Sequence, residues 1–253
     1  MAIAGVLVWA ARPSGLPRLG AVNPVAALGA FAGTCATAGI ALVLAVPVGI
    51  GSALCLSDQH WGRAGAVLGF GVDALAGIPG VVFGLWGYQL LVPRFGGGDL
   101  LVAGLVLAAM VAPACASGCV RALSRVPVAV REQGRVLGFS QWQTLGGLIV
   151  PLAWRDMAAG VVLALGRAVG ETVAVLMVGG GGVGPAGWRQ PVTTAAALLL
   201  ADVRLAAADP AGHAARALAR LALLLFATTC VVRLAAIALQ RTSAPDRAGA
   251  GGE

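Results

Sequence analysis

Residues 21–57 carry no charged side chain, and that uninterrupted apolar run limits the chain to very few folds. A helix needs about twenty consecutive apolar residues to cross a hydrocarbon core roughly 30 Å thick. Three further windows have the same character. Residues 64–93 contain only Asp73, residues 100–120 contain no charge, and residues 157–187 contain only Arg167 and Glu171. A fifth window covers about 214–240. With 59% hydrophobic and 11% charged residues the chain is too apolar for a soluble globule, in which about a quarter of residues are charged. The expected fold is all-α: a polytopic helical membrane protein with about five full spans and a short N-terminal one. The unequal stretches do not give the repeated alternation of a membrane β-barrel.

The expected organisation has three parts. Residues 1–20 hold the end of a stunted or truncated first helix and an external loop. The apolar run before Arg12 is too short to span, and it lacks the positive start of a cleaved signal peptide. Residues 21–240 form the transmembrane domain, with a connecting loop at about 121–156, and residues 241–253 form a flexible tail. Arg121, Arg125, Arg131, Arg135 and Arg155 all fall in that loop, so the positive-inside rule places it in the cytoplasm. Residues 58–63 and the tail are then cytoplasmic, and residues 94–99 and 179–212 external. Arg12 and Arg18 fall outside, against the rule.

All seventeen basic residues are arginine. A phosphate-gripping P-loop and a Schiff-base enzyme both need lysine, so neither chemistry is available here. The net charge of +7 comes from arginines flanking the spans, a pattern of topology rather than of nucleic-acid binding. Cys115 and Cys119 have no histidine or carboxylate beside them in their span. With Cys35, Cys55 and Cys230 they are expected to be small buried apolar residues, and no metal site follows. His60 and His213 are expected on opposite sides of the membrane. Gly179, Gly181 and Gly184 match a dinucleotide fingerprint by spacing, but they follow a membrane helix rather than a strand. Pro47 and Pro79 lie inside spans and are expected to bend them, Pro79 beside either a pathway or a packing kink.

The loop is the most informative segment. Residues 131–151 read REQGRVLGFSQWQTLGGLIVP. Pro127 suits the first turn of a short helix and Gly138 the position just past its end. Ser140 and Gln143 form a capping-box pattern for a second short helix, which Pro151 is expected to close. Leu137, Phe139, Trp142 and Leu145 mix with charge around the glycine corner, which suits a protein groove better than the alternative, an interfacial amphipathic helix.

Arg167 and Glu171 are four apart and are expected to share one helical face. An ionised group at bilayer depth costs roughly 2.5–3.5 kcal/mol, so both should face protein or water. Two readings are open: a salt bridge locking helix packing, or a guanidinium offered to a passing oxyanion, with Glu171 orienting it or pairing with a cation on another chain. Asp73 either partners Arg167 or lies near the cytoplasmic interface.

The loop resembles the docking segment of ABC importer permeases, E-A-A, three residues, G, nine residues, I-x-L-P. Glu132, Gln133 and Gly134 occupy the E-A-A positions, Gly138 the glycine, and residues 148–151 the ending at Pro151. Residues 164–178, residues 76–87 (AGIPGVVFGLWG) and residues 46–51 (VPVGIG) are similar to the helices of phosphate-importer permeases of the PstC type. Gly80 replaces a serine of that pattern and Gly180 an asparagine. The resemblance implies a type I permease fold in the bacterial cytoplasmic membrane, and half of a pathway for inorganic phosphate. It implies no catalytic site on this chain, with ATP and Mg held by partner ATPase subunits that dock on Glu132, Gln133, Gly134, Gly138, Trp142 and Pro151. It also implies a second, PstA-like permease and an extracytoplasmic phosphate-binding protein. Another oxyanion such as sulfate or molybdate, an ATPase-independent channel, and a membrane enzyme are the alternatives.

Overall fold

In a computed structural model the chain is described over residues 24–57, 62–182, 187–208 and 213–242. The expectations for residues 1–20, His60, Gly184 and the tail beyond Thr242 lie outside these residues. Eleven helices occur among them: α1 Pro24–Leu56, α2 Gly62–Gly77, α3 Gly80–Leu90, α4 Val92–Phe95, α5 Leu100–Ser124, α6 Val128–Val136, α7 Gln141–Thr144, α8 Val150–Gly170, α9 Val173–Val178, α10 Ala195–Ala208 and α11 His213–Thr242. A π-helical turn, Leu145–Ile149, joins α7 to α8. Four helical stretches are long and apolar enough to cross a membrane: Ala26–Leu56, Leu100–Ser124, Gln141–Gly170 and Ala215–Gln240. The broken pair Gly65–Gly77 and Gly80–Leu90 raises the number to five.

Several expectations change. The apolar window at 157–187 does not coincide with a helix: the helix begins at Gln141 and stops at Gly170. Absence of charge locates apolar sequence but does not say where a helix ends. Pro151 does not close a second short helix. It sits in the first turn of α8, straight after the π turn, in which the Val150 N–H reaches back to the Leu145 carbonyl. A proline lacks the N–H that an α-turn needs and crowds the carbonyl four residues back, and the wider turn carries the helix past it. Pro47 lies inside an unbroken α1, where one missing hydrogen bond is carried by a 33-residue helix. At Pro79 the helix does break, with Ile78 at the bend. Residues 179–212, the stretch expected on the external side, contain α10. The Thr194 hydroxyl accepts the Ala197 N–H (3.3 Å) and so caps α10.

The helices form two compact units. In the first, whose described residues are 24–39, 80–106, 170–182, 187–208 and 213–227, Ala30, Ala195, Leu198 and Leu221 make a buried cluster. The Thr34 hydroxyl accepts the Ala195 N–H (3.0 Å). Helices α3 and α9 touch at backbone distance. A methyl on Gly84 would lie 2.7 Å from Ala174 Cα. Close approach of this kind supplies packing where lipid gives no hydrophobic driving force between helices. Asp99 caps α5 through the Val102 N–H (2.8 Å) and receives Arg189 Nε at 2.6 Å.

The described residues of the second unit are 40–57, 62–79, 107–169 and 228–242. Here α5 and α8 cross at Gly118 and Gly160, where an added Cβ on either would meet the other's backbone at 3.1 Å. Gly49 lies against Cys115, and both Cys115 and Cys119 are buried in α5. Cys55, and Cys35 in the first unit, are exposed, contrary to the expectation of burial, because α1 leaves one apolar side uncovered in this single chain.

Candidate functional site: the elbow and the buried arginine

The second unit carries a helical elbow, α6 to α7. The Phe139 N–H bonds to the Gly134 carbonyl and the Gly138 N–H to the Arg135 carbonyl, both at 3.0 Å. Gly138 is left-handed with φ 77°. This is a Schellman motif, which satisfies the last carbonyls of α6 and turns the chain. One residue later Ser140 begins a complete capping box. Its hydroxyl accepts the Gln143 N–H (3.3 Å), and the Gln143 side chain accepts the Ser140 N–H (2.8 Å). A helix stop and a helix start placed back to back leave little slack at the corner.

Gly134 is buried at the inside of this corner against Thr144. The outer side presents Val136, Leu137, Phe139 and Trp142, with Trp142 60% exposed. Glu132, Gln133 and Gly138 are also exposed. Five of the six residues expected to dock, Glu132, Gln133, Gly134, Gly138 and Trp142, therefore lie within the elbow. Pro151 lies beyond it, in α8. Between the elbow and the end of α1 is a pocket of about 50 Å³ lined by residues including Ser57, Arg131, Arg135, Phe139, Trp142 and Thr144.

The α7–α8 run continues from the elbow to Arg167. Arg167 Nη1 donates to the Ala76 carbonyl (2.7 Å) and Nη2 to the Ile78 carbonyl (3.2 Å). Those carbonyls stand at the end of α2, where the break at Pro79 removes their helical partners. The guanidinium thus acts as a C-cap carrying the charge that a helix C-terminus favours. Arg167 and Glu171 do not share a helical face, since α8 ends at Gly170 between them. Glu171 belongs to the start of the next helix, where its Oε1 accepts the Ala174 N–H (3.1 Å). Its carboxylate lies over Gly80, where an added Cβ would meet it at 2.6 Å. Glycine at position 80 leaves room for this acid where it sits. Asp73 accepts a 2.6 Å hydrogen bond from Ser117 on α5 rather than standing beside Arg167.

Two ion pairs escaped the sequence reading. Arg125 lies 4.0 Å from buried Asp156, and Arg189 pairs with buried Asp99 while also bonding to the Phe95 carbonyl. Among the described residues no group of three or more His, Cys, Asp or Glu is placed to hold a metal.

Comparison with known proteins places these features in context. The family model described as "Binding-protein-dependent transport system inner membrane component" matches residues 45–243. "Phosphate transport system permease protein PstC 1" of Mycobacterium tuberculosis is 35% identical over 254 residues, covering 88% of this chain and 75% of its own. "Phosphate transport system permease protein PstA 1" of the same organism is 35% identical over 152 residues, covering 60% of this chain and 49% of its own. Among solved structures, a chain of the MetNI methionine ABC transporter in an inward facing conformation matches with TM-score 0.62 at 18% identity, over 86% of this chain and 94% of that one. That likeness establishes a shared fold.

Proposed function

Because the chain belongs to the family of binding-protein-dependent transport system inner membrane components, we propose that it is one of two permease chains of an ATP-driven importer whose cargo is inorganic phosphate. The observation that carries this reading is the elbow. A Schellman stop and a capping box frame an exposed apolar and charged corner, in a chain 35% identical to a phosphate permease over most of its length. The longer match to the PstC relative than to the PstA relative favours the PstC-like place in the pair.

In this reading the elbow faces the cytoplasm and docks in a groove of an ATPase subunit, which holds ATP and Mg. Glu132, Gln133, Gly138 and Trp142 meet the groove, Gly134 sets the corner and Pro151 sets the start of the lever. The lever is the run from Gln141 to Gly170, about 45 Å long at 1.5 Å per residue. Its far end carries Arg167, which grips the broken end of α2, so closure of the ATPase is transmitted to the break at Pro79. Arg167 uses two of its five N–H donors on carbonyls, and the rest are free to meet a phosphate oxyanion. Glu171 and Asp73 complete the polar positions of the pathway. An extracytoplasmic binding protein delivers the cargo, and a second permease chain supplies the other half of the path.

The test is uptake of labelled phosphate into vesicles holding this chain, its partner permease and the ATPase, with binding protein outside and ATP inside. ATP-dependent uptake that excess sulfate or molybdate does not compete away is expected. Preferential uptake of sulfate or molybdate would reassign the cargo, and uptake without ATP would reject the motor-driven reading.

A further inference from the structure

In the long helices Thr34, Thr37, Ser52 and Ser124 each donate a hydroxyl hydrogen bond to the carbonyl four residues back on their own helix. Ser117, buried in α5, does otherwise. Its Oγ donates across to α2 and lies 2.6 Å from Asp73 Oδ1. The neighbouring Gly118 packs on the Gly160 backbone of α8, so α5 and α8 are held together at this level. About two turns beyond Gly160 on α8 stands Arg167, which grips the Ala76 and Ile78 carbonyls. Asp73 precedes Ala76 by three residues, about 4.5 Å along the α2 axis, and so lies within one turn of the carbonyl that Arg167 Nη1 holds. Arg63, the cation on α2 itself, is about 15 Å from Asp73 along that axis.

At membrane depth an acid and a guanidinium within one helical turn ordinarily pair, because each offsets the cost of burying the other. Here they do not. Among the described residues Arg167 bonds to two carbonyls and Asp73 to Ser117. We propose that Ser117 is a positioning residue of the transport path. Its hydroxyl holds the Asp73 carboxylate against α5, keeps it from capturing Arg167, and leaves the remaining guanidinium donors to an anionic cargo. The proposal rests on the reading of Arg167 as a pathway residue. A carboxylate released beside Arg167 takes donors that a phosphate oxygen needs and repels the cargo with its own charge. A serine bonded back to its own helix, as Ser124 is, leaves the acid free to do this.

Uptake of labelled phosphate is measured in vesicles holding this chain, its partner permease and the ATPase, with binding protein outside and ATP inside. The variants are Ser117→Ala, Asp73→Asn and the two combined. Ser117→Ala removes one oxygen and is expected to slow uptake about tenfold, the low end of what one hydrogen bond to a charged group is worth. The ion pair that replaces the lost bond should keep assembly and the thermal midpoint close to the parent's. In the Asp73→Asn background the same change should have little effect on uptake, since an amide cannot form the competing ion pair. A bond that merely packs α2 on α5 behaves differently. The asparagine amide also accepts from Ser117, so the loss then persists in that background and the midpoint falls. That outcome overturns the proposal, as does uptake by Ser117→Ala equal to the parent's. Where Asp73→Asn is itself inactive, a structure of the assembled Ser117→Ala complex in lipid nanodiscs decides the point. The Asp73 carboxylate must there lie within hydrogen-bond reach of Arg167, and a carboxylate left in its present place overturns the proposal. Parent vesicles that fail to import phosphate sink the importer reading instead, and the place of Asp73 in the variant structure still decides the role of Ser117.

Discussion

A methyl group at Gly134 would lie 2.6 Å from both Cγ2 and Oγ1 of Thr144, and 3.1 Å from its Cβ. Threonine is branched at Cβ and has no flexible end to swing away. The alanine that the related docking segments carry at this position therefore does not fit here without moving α6 off α7. Gly134→Ala is expected to destabilise the elbow by about 1–3 kcal/mol, the usual cost of overpacking a tight contact. Thr144→Ala in the same chain removes two of the three clashing atoms and should return part of that loss. Thermal midpoint and ATPase copurification measure both effects, and a double variant no better than the single would show that the two residues are not a matched pair. Arg167 gives a second prediction at this scale. Arg167→Gln keeps one amide donor for the Ala76 or Ile78 carbonyl but removes the charge, so assembly with the ATPase should persist while uptake is abolished. Normal uptake in that variant would reject a pathway role and leave Arg167 as a cap alone.

At the level of elements, the elbow depends on the left-handed residue between its two helices. Gly138 at φ 77° is where any Cβ would be strained, by roughly 1–2 kcal/mol. Gly138→Ala is expected to lower ATPase copurification and uptake together, while leaving the amount of folded protein in the membrane little changed. If uptake falls with copurification intact, the corner transmits motion without governing docking. The elbow was legible in the sequence because its signals are local: a glycine one residue past the stop, and Ser140 and Gln143 three apart. The end of α8 was not, because residues 164–178 continue apolar through Gly170 and nothing there announces a break except Gly170 itself. Helix α10 lies in the stretch expected to be external, and Thr194 ahead of an Ala-Leu run was a usable start signal for it. The pairs Arg125–Asp156 and Arg189–Asp99 join residues far apart in sequence, so only the fold brings them together. Asp156, buried and paired, is the charged position that a count of span charges overlooked.

For the whole molecule, the consequential quantity is sidedness. Arg121, Arg125, Arg131, Arg135 and Arg155 concentrate around the elbow, and such clusters are retained on the cytoplasmic side during insertion. The importer reading requires that side, because an ATPase can reach the elbow only there. Two exposed aromatics serve as reporters: Phe139 on the elbow, and Trp188, 70% exposed, in the segment expected outside. In a chain with all five native cysteines replaced, Phe139→Cys should react with a membrane-impermeant maleimide in inside-out vesicles and not in intact cells. Trp188→Cys should do the reverse. Adding the ATPase subunit should then protect position 139 and leave position 188 unchanged, since docking covers the elbow alone. Reaction of Phe139→Cys in intact cells would put the elbow on the wrong face, and no amount of sequence likeness would then let an internal motor drive this chain.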